Sequence, residues 1–123
     1  MIKTGQTYTQ EITVTSKDTA LVYGSGKLEV FATPALVALM ENTAIRCLEG
    51  SLEPGTDTVG IEINAQHIKA TGVGHKVTCK ATIAEADGRR IRFEIEAWDD
   101  KGPIGRAVHD RFVINPEKFM SKL

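Results

Sequence analysis

Between Thr58 and Ile114 the chain alternates apolar and polar residues through four successive segments. In "KVTCKATIAEA", Val77, Cys79, Ala81 and Ile83 fall on one side and Lys76, Thr78, Lys80 and Thr82 on the other. In "RRIRFEIEAWD", Ile91, Phe93, Ile95 and Ala97 oppose Arg90, Arg92, Glu94 and Glu96. Successive side chains of a strand point to opposite faces, so such segments bury one face and wet the other, as antiparallel sheets do. By the same parity, "TVGIEINAQHI" aligns Val59, Ile61, Ile63 and Ala65. "PIGRAVHDRFVI" aligns Ile104, Val108, Phe112 and Ile114. An earlier strand is predicted through Tyr8, Ile12 and Val14, and a short second one in "TALVYGSG". Asp87-Gly88 and "DDKGP" carry the turn chemistry.

One apolar sheet face needs one cover. The stretch "FATPALVALMENTAIRCLEG", Phe31 to Gly50, reads as a long helix with Thr33 as N-cap, Pro34 as first helical residue and Gly50 as its stop. Nothing else in the chain can cover the sheet. The expected architecture is therefore α+β, a strongly curled antiparallel sheet with one long helix in its concavity. The 123 residues suit a single domain, 1–123, large enough to bury a real core. The tail "NPEKFMSKL" is read as loosely held.

A net charge of −1 gives no electrostatic reason to expect nucleic acid or an anionic membrane as partner. No apolar run approaches the ~20 residues of a membrane span, and the N-terminus lacks the apolar core of a signal peptide. Cys47 and Cys79 read as two free thiols in a reducing compartment, which places the protein in the cytoplasm. His67, His75 and His109 have no metal-ligand spacing. "GSG" and "GVG" are too short for nucleotide loops. There is no Gly-X-Ser-X-Gly nucleophile elbow.

Glu41 stands out. On a helical wheel its neighbours within about 60° are Pro34, Val37, Ala38, Ala44, Ile45 and Leu48, all apolar. Asn42, Arg46 and Glu49 form a separate polar stripe. A carboxylate on an apolar face costs several kcal/mol unless paired or protonated. Either Glu41 is a placed acid or base, or it lines a wet dimer interface or edge. His67 extends the apolar parity of Val59 to Ala65 and so points inward as well. Glutamate and histidine together form a general acid–base unit. Thr33 adds a hydroxyl, and backbone N–H groups at the helix start could stabilise an oxyanion. Thr33 and Glu41 are eight residues apart, about 12 Å along a helix, and cannot touch within one chain. His75 is read as exposed, and His109, which shares its parity with Arg111 and opposes the apolar face, as lying at a solvated edge, the alternative being the mouth of a pocket. "GRRIRF" reads as a solvated outer face, the alternative being contact with the phosphates of a nucleotide.

The pattern resembles the hotdog-fold thioesterases, in particular the fluoroacetyl-CoA thioesterase family. The resemblance rests on "ATPALVALMENTA", "TVGIEINAQHIKAT", "GRRIRFEIEAWD" and "HDRFVI", together spanning about Phe31 to Ile114. It implies the hotdog fold, an acyl-CoA substrate, no cofactor, and a homodimer or higher homo-oligomer with active sites between subunits. It also implies that Thr33, Glu41 and His67 hydrolyse the thioester. Gly60 would lie near the thioester carbonyl and Arg111 near the acyl pocket. The alternative is a hotdog module that binds an acyl-CoA or other small ligand without catalysis. Fluoroacetyl-CoA is one candidate among short acyl-CoAs, and the sequence leaves general-base and covalent catalysis both open.

Overall fold

The alternating segments become one five-stranded antiparallel sheet in a computed structural model that describes residues 1–123. The strands are β1 (Thr7–Thr13), β2 (Asp57–His67), β3 (Lys76–Asp87), β4 (Arg90–Asp99) and β5 (Gly102–Ile114), in the spatial order β1-β3-β4-β5-β2. The predicted long helix is α2 (Thr33–Cys47). Its Leu36, Met40, Ala44 and Cys47 pack on Val77, Cys79, Ala81, Ile83, Ile91, Phe93, Ile95 and Ala97, all buried. Each large apolar side chain removed from water this way stabilises the fold by about 1.5–3 kcal/mol. Gln6, just ahead of β1, donates to the Cys47 carbonyl at 2.7 Å and so satisfies an end group of α2.

Four local expectations change. "TALVYGSG" is not a strand but one helical turn, α1 (Ala20–Tyr23). The Thr19 hydroxyl caps its start, accepting from the Val22 N–H, and Gly24 ends it at φ 71°. The tail gains a short helix, although all of its residues stay exposed. Asn115 caps a short α3 (Pro116–Met120) by accepting from the Lys118 N–H. The other two corrections are breaks of phase. In β2 the register with β5 shifts between Gly60 and Glu62, so Ile61 is the extra residue of a bulge and lies 54% exposed. In β5 the pairing runs Trp98 to Pro103 and then Ala97 to Gly105, so Ile104 is extra. Beyond it Ala107, His109 and Arg111 turn inward, and Val108 and Phe112, expected inside, turn outward.

Cys47 and Cys79 are free and buried, and burial pushes both thiols up, Cys79 to about 11. That makes them packing residues rather than nucleophiles. No helix is long and apolar enough to cross a membrane.

Candidate active site

The helix and the inward edge of β2 set out two separate groups of polar side chains. The first lies where α2 begins. Thr33 is not the N-cap. Ala32 holds that position, and no side chain caps the helix. Early N–H groups of α2 are therefore left without intrahelical partners, and the Thr33 hydroxyl is free for other work. It meets His67 Nδ1 at 2.8 Å. A hydroxyl both donates and accepts, so the ring's tautomer follows whatever Nε2 meets. That Nε2 atom is buried and unpartnered. Burial also pushes the imidazole's pKa below its usual 6.5. The rings of Phe31 and His67 meet at 79° in a T-shaped contact, 6.4 Å between centroids. Together with Val30, Ile68 and Lys69, these residues line a cleft of about 300 Å³.

The second group gathers around Glu41, two turns along the helix. Its partners are Gly60, Arg111, His109 and Thr58. Arg111 Nη1 lies 3.7 Å from Glu41 Oε2. The guanidinium is itself buried. Its Nε donates to the Thr58 hydroxyl at 2.8 Å, Nη2 to the Thr58 carbonyl at 3.2 Å, and Nη1 to His109 Nε2 at 3.2 Å. Gly60 faces this group with no room to spare. A Cβ there would lie 2.8 Å from Glu41 Oε2 and 3.3 Å from both Arg111 Nη1 and His109 Cε1.

Of the five residues singled out in the sequence, the structure thus pairs Thr33 with His67, and Glu41 with Gly60 and Arg111. It does not bring Glu41 to His67. Gly60 and His67 sit at opposite ends of β2, and Thr33 is about 12 Å along α2 from Glu41. The apolar surroundings of Glu41 also differ from expectation. The packed face of α2 runs through Leu36, Met40, Ala44 and Cys47, and Glu41 sits on its shoulder with a 40% exposed side chain. Pro34, Ala38 and Ile45, its wheel neighbours, are exposed in the single chain.

His109 is the largest correction. Expected at a solvated edge, it is 1% exposed and stacked on Phe93, because the extra residue at Ile104 reverses its parity. Arg111 is turned inward by the same shift. Thr58 was missed altogether. A hydroxyl two residues before Gly60 was the available signal, once the β2 bulge sets both inward. His75, expected exposed, is half-exposed and paired with Asp100 at 3.1 Å. Of the arginines of "GRRIRF", Arg90 and Arg92 belong to the outer face and are already committed, while Arg89 lies exposed in the turn between β3 and β4. Arg92 grips Asp110 through Nε at 2.8 Å and Nη2 at 3.0 Å, while Arg90 reaches Glu85 at 3.2 Å and Asp110 at 3.6 Å.

The sequence and the fold resemble those of known proteins. Residues 14–117 match the model of a family described as "FlK: Fluoroacetyl-CoA-specific thioesterase". The fluoroacetyl-CoA thioesterase of Streptantibioticus cattleyicolor is 40% identical over 95 residues, 77% of this chain and 68% of that protein. The solved structure of the fluoroacetyl-CoA thioesterase FlK superposes with a TM-score of 0.93 at 34% identity, covering 99% of this chain and 95% of that one. A Thermus thermophilus hypothetical protein, described as a thioesterase superfamily member, shares the fold at 24% identity, with a TM-score of 0.91 over 98% of this chain and 90% of that one. The chain belongs to the fluoroacetyl-CoA-specific thioesterase family, hotdog-fold hydrolases of CoA thioesters.

Proposed function

We propose that this protein hydrolyses a small acyl-CoA thioester at a site built from two copies of the chain. Thr33 and His67 come from one copy and Glu41, Gly60 and Arg111 from the other. The observation that carries the reading is the complementarity of the two groups. One offers a hydroxyl and an imidazole with an unpartnered Nε2 but no carboxylate. The other offers a carboxylate beside a guanidinium but no proton shuttle. β2 is the last strand of the sheet and pairs on one side only, with β5. Antiparallel pairing of β2 with its copy, about a two-fold axis at Asn64 and with Ile61 left out of the ladder as it is against β5, sets Gly60 of each copy opposite His67 of the other. The same contact covers the exposed apolar stripe of α2 beside Glu41.

The chemistry divides among these groups. The thioester carbonyl seats at the open start of α2, where backbone N–H groups and the Thr33 hydroxyl donate to the oxygen as it gains charge. Glu41 takes a proton from water as that water attacks the carbonyl carbon, or attacks the carbon itself and is released by water afterwards. The C–S bond breaks, and the proton given up by the attacking water passes through His67 to the departing sulfur, so that Glu41 and His67 end in the protonation states in which they began. The cleft of about 300 Å³ beside Thr33 and His67 suits a short acyl group. Fluoroacetyl-CoA, the substrate in the relatives' names, heads the candidates with acetyl-CoA and other short acyl-CoAs.

The test is release of free thiol from an acyl-CoA panel by the wild-type protein, by Glu41→Ala, by His67→Ala, and by the two variants mixed through co-expression. Each variant alone should be silent. Random pairing makes half the dimers mixed, each with one intact site, so the mixture should recover about a quarter of wild-type activity. No recovery in a confirmed mixed dimer refutes the shared site. No turnover by the wild type on any acyl-CoA refutes the hydrolase, and specific binding of acyl-CoA would then identify a binding module.

A further inference from the structure

His109 has no part in the hydrolysis as just described, yet it is among the most enclosed polar side chains in the protein. Both ring nitrogens are committed. Nδ1 lies 2.7 Å from the Glu62 carbonyl oxygen and Nε2 3.2 Å from Arg111 Nη1. A carbonyl only accepts and a guanidinium only donates, so the geometry sets the tautomer. Nδ1 carries the hydrogen and Nε2 is a bare acceptor. A protonated ring would turn a donor toward Arg111 and lose the second bond. Burial, and then the Arg111 charge, hold the imidazole against that protonation.

The consequence falls on Arg111. A guanidinium has five N–H donors in a rigid plane. Three are taken by the Thr58 hydroxyl, the Thr58 carbonyl and His109, which fix that plane. Two remain, one of them on Nη1, the atom that stands 3.7 Å from Glu41 Oε2. His109 also ties down Glu62, the residue that closes the β2 bulge and thereby keeps Gly60 turned toward Glu41.

We infer that His109 is a positioning residue of the site: its Nε2 aims the Arg111 guanidinium at Glu41 and at the substrate, while its Nδ1–H anchors the β2 bulge. The inference rests on the hydrolase reading above. It assigns His109 no contact with substrate. Its whole effect passes through Arg111 and the bulge.

Two amides separate the two bonds. Asn places its amide where Nδ1 was, so His109→Asn keeps the donor to Glu62 and loses the acceptor for Arg111. Gln reaches as far as Nε2, so His109→Gln keeps the acceptor and loses the donor. Both variants lose the Phe93 stacking, which makes each a control for stability in the other. If His109 aims Arg111, His109→Asn lowers kcat by about tenfold or more, in line with the roughly 10²-fold cost of misplacing a catalytic group by 1 Å, with little change in KM. His109→Gln recovers most of that loss at a similar melting temperature. In an Arg111→Lys background the Asn and Gln variants become equal. Equal kcat in the two variants on the wild-type background, or a kcat loss that follows melting temperature, overturns the inference. Exchange of the Arg111 side-chain N–H signals, followed by NMR, reads positioning without turnover. It should speed up in His109→Asn and stay slow in His109→Gln, and unchanged slow exchange in both overturns the inference. A wild-type protein with no turnover but with this exchange pattern refutes the hydrolase reading while leaving the positioning intact.

Discussion

Replacing Gly60 with alanine separates stability from catalysis in one step. The new Cβ would sit 2.8 Å from Glu41 Oε2, about 0.6 Å inside the 3.4 Å at which ordinary contact begins. It would also sit 3.3 Å from Arg111 Nη1 and His109 Cε1. Those two side chains are hydrogen-bonded and buried, so they resist. Glu41 is 40% exposed and is the flexible partner, so the carboxylate is the group that moves. Gly60 does not have a positive φ, so alanine brings no backbone strain. Removing a glycine at a compatible position stabilises by about 0.4–1 kcal/mol through the unfolded chain. Pushing aside one half-exposed side chain costs about as much, so the net stability change should be close to zero.

Catalysis has no such offset. A displacement of about 1 Å in a catalytic group costs roughly 10²-fold in rate, or about 2.7 kcal/mol in the barrier. A displacement of about 0.6 Å should therefore lower kcat by about 10- to 100-fold. The assay pairs initial rates of thiol release on the best acyl-CoA with a urea unfolding curve and a measurement of oligomeric state. A Gly60→Ala protein that is folded, assembled like the wild type and within twofold of its kcat would refute the argument that Glu41 acts at this position. A large fall in the urea midpoint would refute the account of which group yields.

Other expectations follow from the same geometry. Gly105→Ala is the contrasting case: its Cβ would meet the Gln66 backbone oxygen at 2.7 Å and Leu36 Cδ2 at 3.0 Å, neither free to leave, so urea unfolding should show a loss of about 1–3 kcal/mol. Thr33→Val removes the hydroxyl that meets His67 Nδ1 and should cost about tenfold or more in kcat, while the melting temperature moves little because the residue is exposed. Burial depresses the pKa of both His67 and His109 below 6.5, so just under that pH the unfolded chain binds more protons than the folded one. Stability from this source is complete above 6.5 and falls as pH drops toward the folded values. Urea midpoints measured from pH 7.5 down to 5.5 should decline, and less steeply in His109→Gln; a flat profile would contradict the burial of both rings.

The strands that were read correctly are those whose alternating residues all lie on one side of any irregularity: the extra residue of β3, Ala84, comes after Ile83. Val77 to Ile83 and Ile91 to Ala97 are buried as alternation demands, because β3 and β4 run through the middle of the sheet where both edges are paired. The long helix was equally legible, since Pro34 and a dense apolar run leave few alternatives. The short α1 was not. Four apolar residues carry no usable period, and only the Thr19 and Gly24 caps decide between turn and strand. Glu41 was half legible. The wheel identified it as out of place on an apolar stripe. It took the packed structure to show that the stripe is divided, with Ala44 and Leu48 in the core and Pro34, Ala38 and Ile45 exposed.

The misreadings in β2 and β5 share one cause, and it bears on function. Parity carries information only until a residue is inserted, and each strand has one such insertion, at Ile61 and at Ile104. The inserted residue flips every side chain beyond it. In β5 that flip turns His109 and Arg111 inward. In β2 it lets Thr58 and Gly60 share the inner face with Ile63, Ala65 and His67. Without the two bulges, Arg111 and His109 would lie in solvent and Gly60 would point away from Glu41. The irregularities that defeat an alternation argument are therefore what assembles the polar group around Glu41. A strand whose chemistry-bearing residues appear on the wrong face should accordingly be searched for a bulge before those residues are assigned to the solvent.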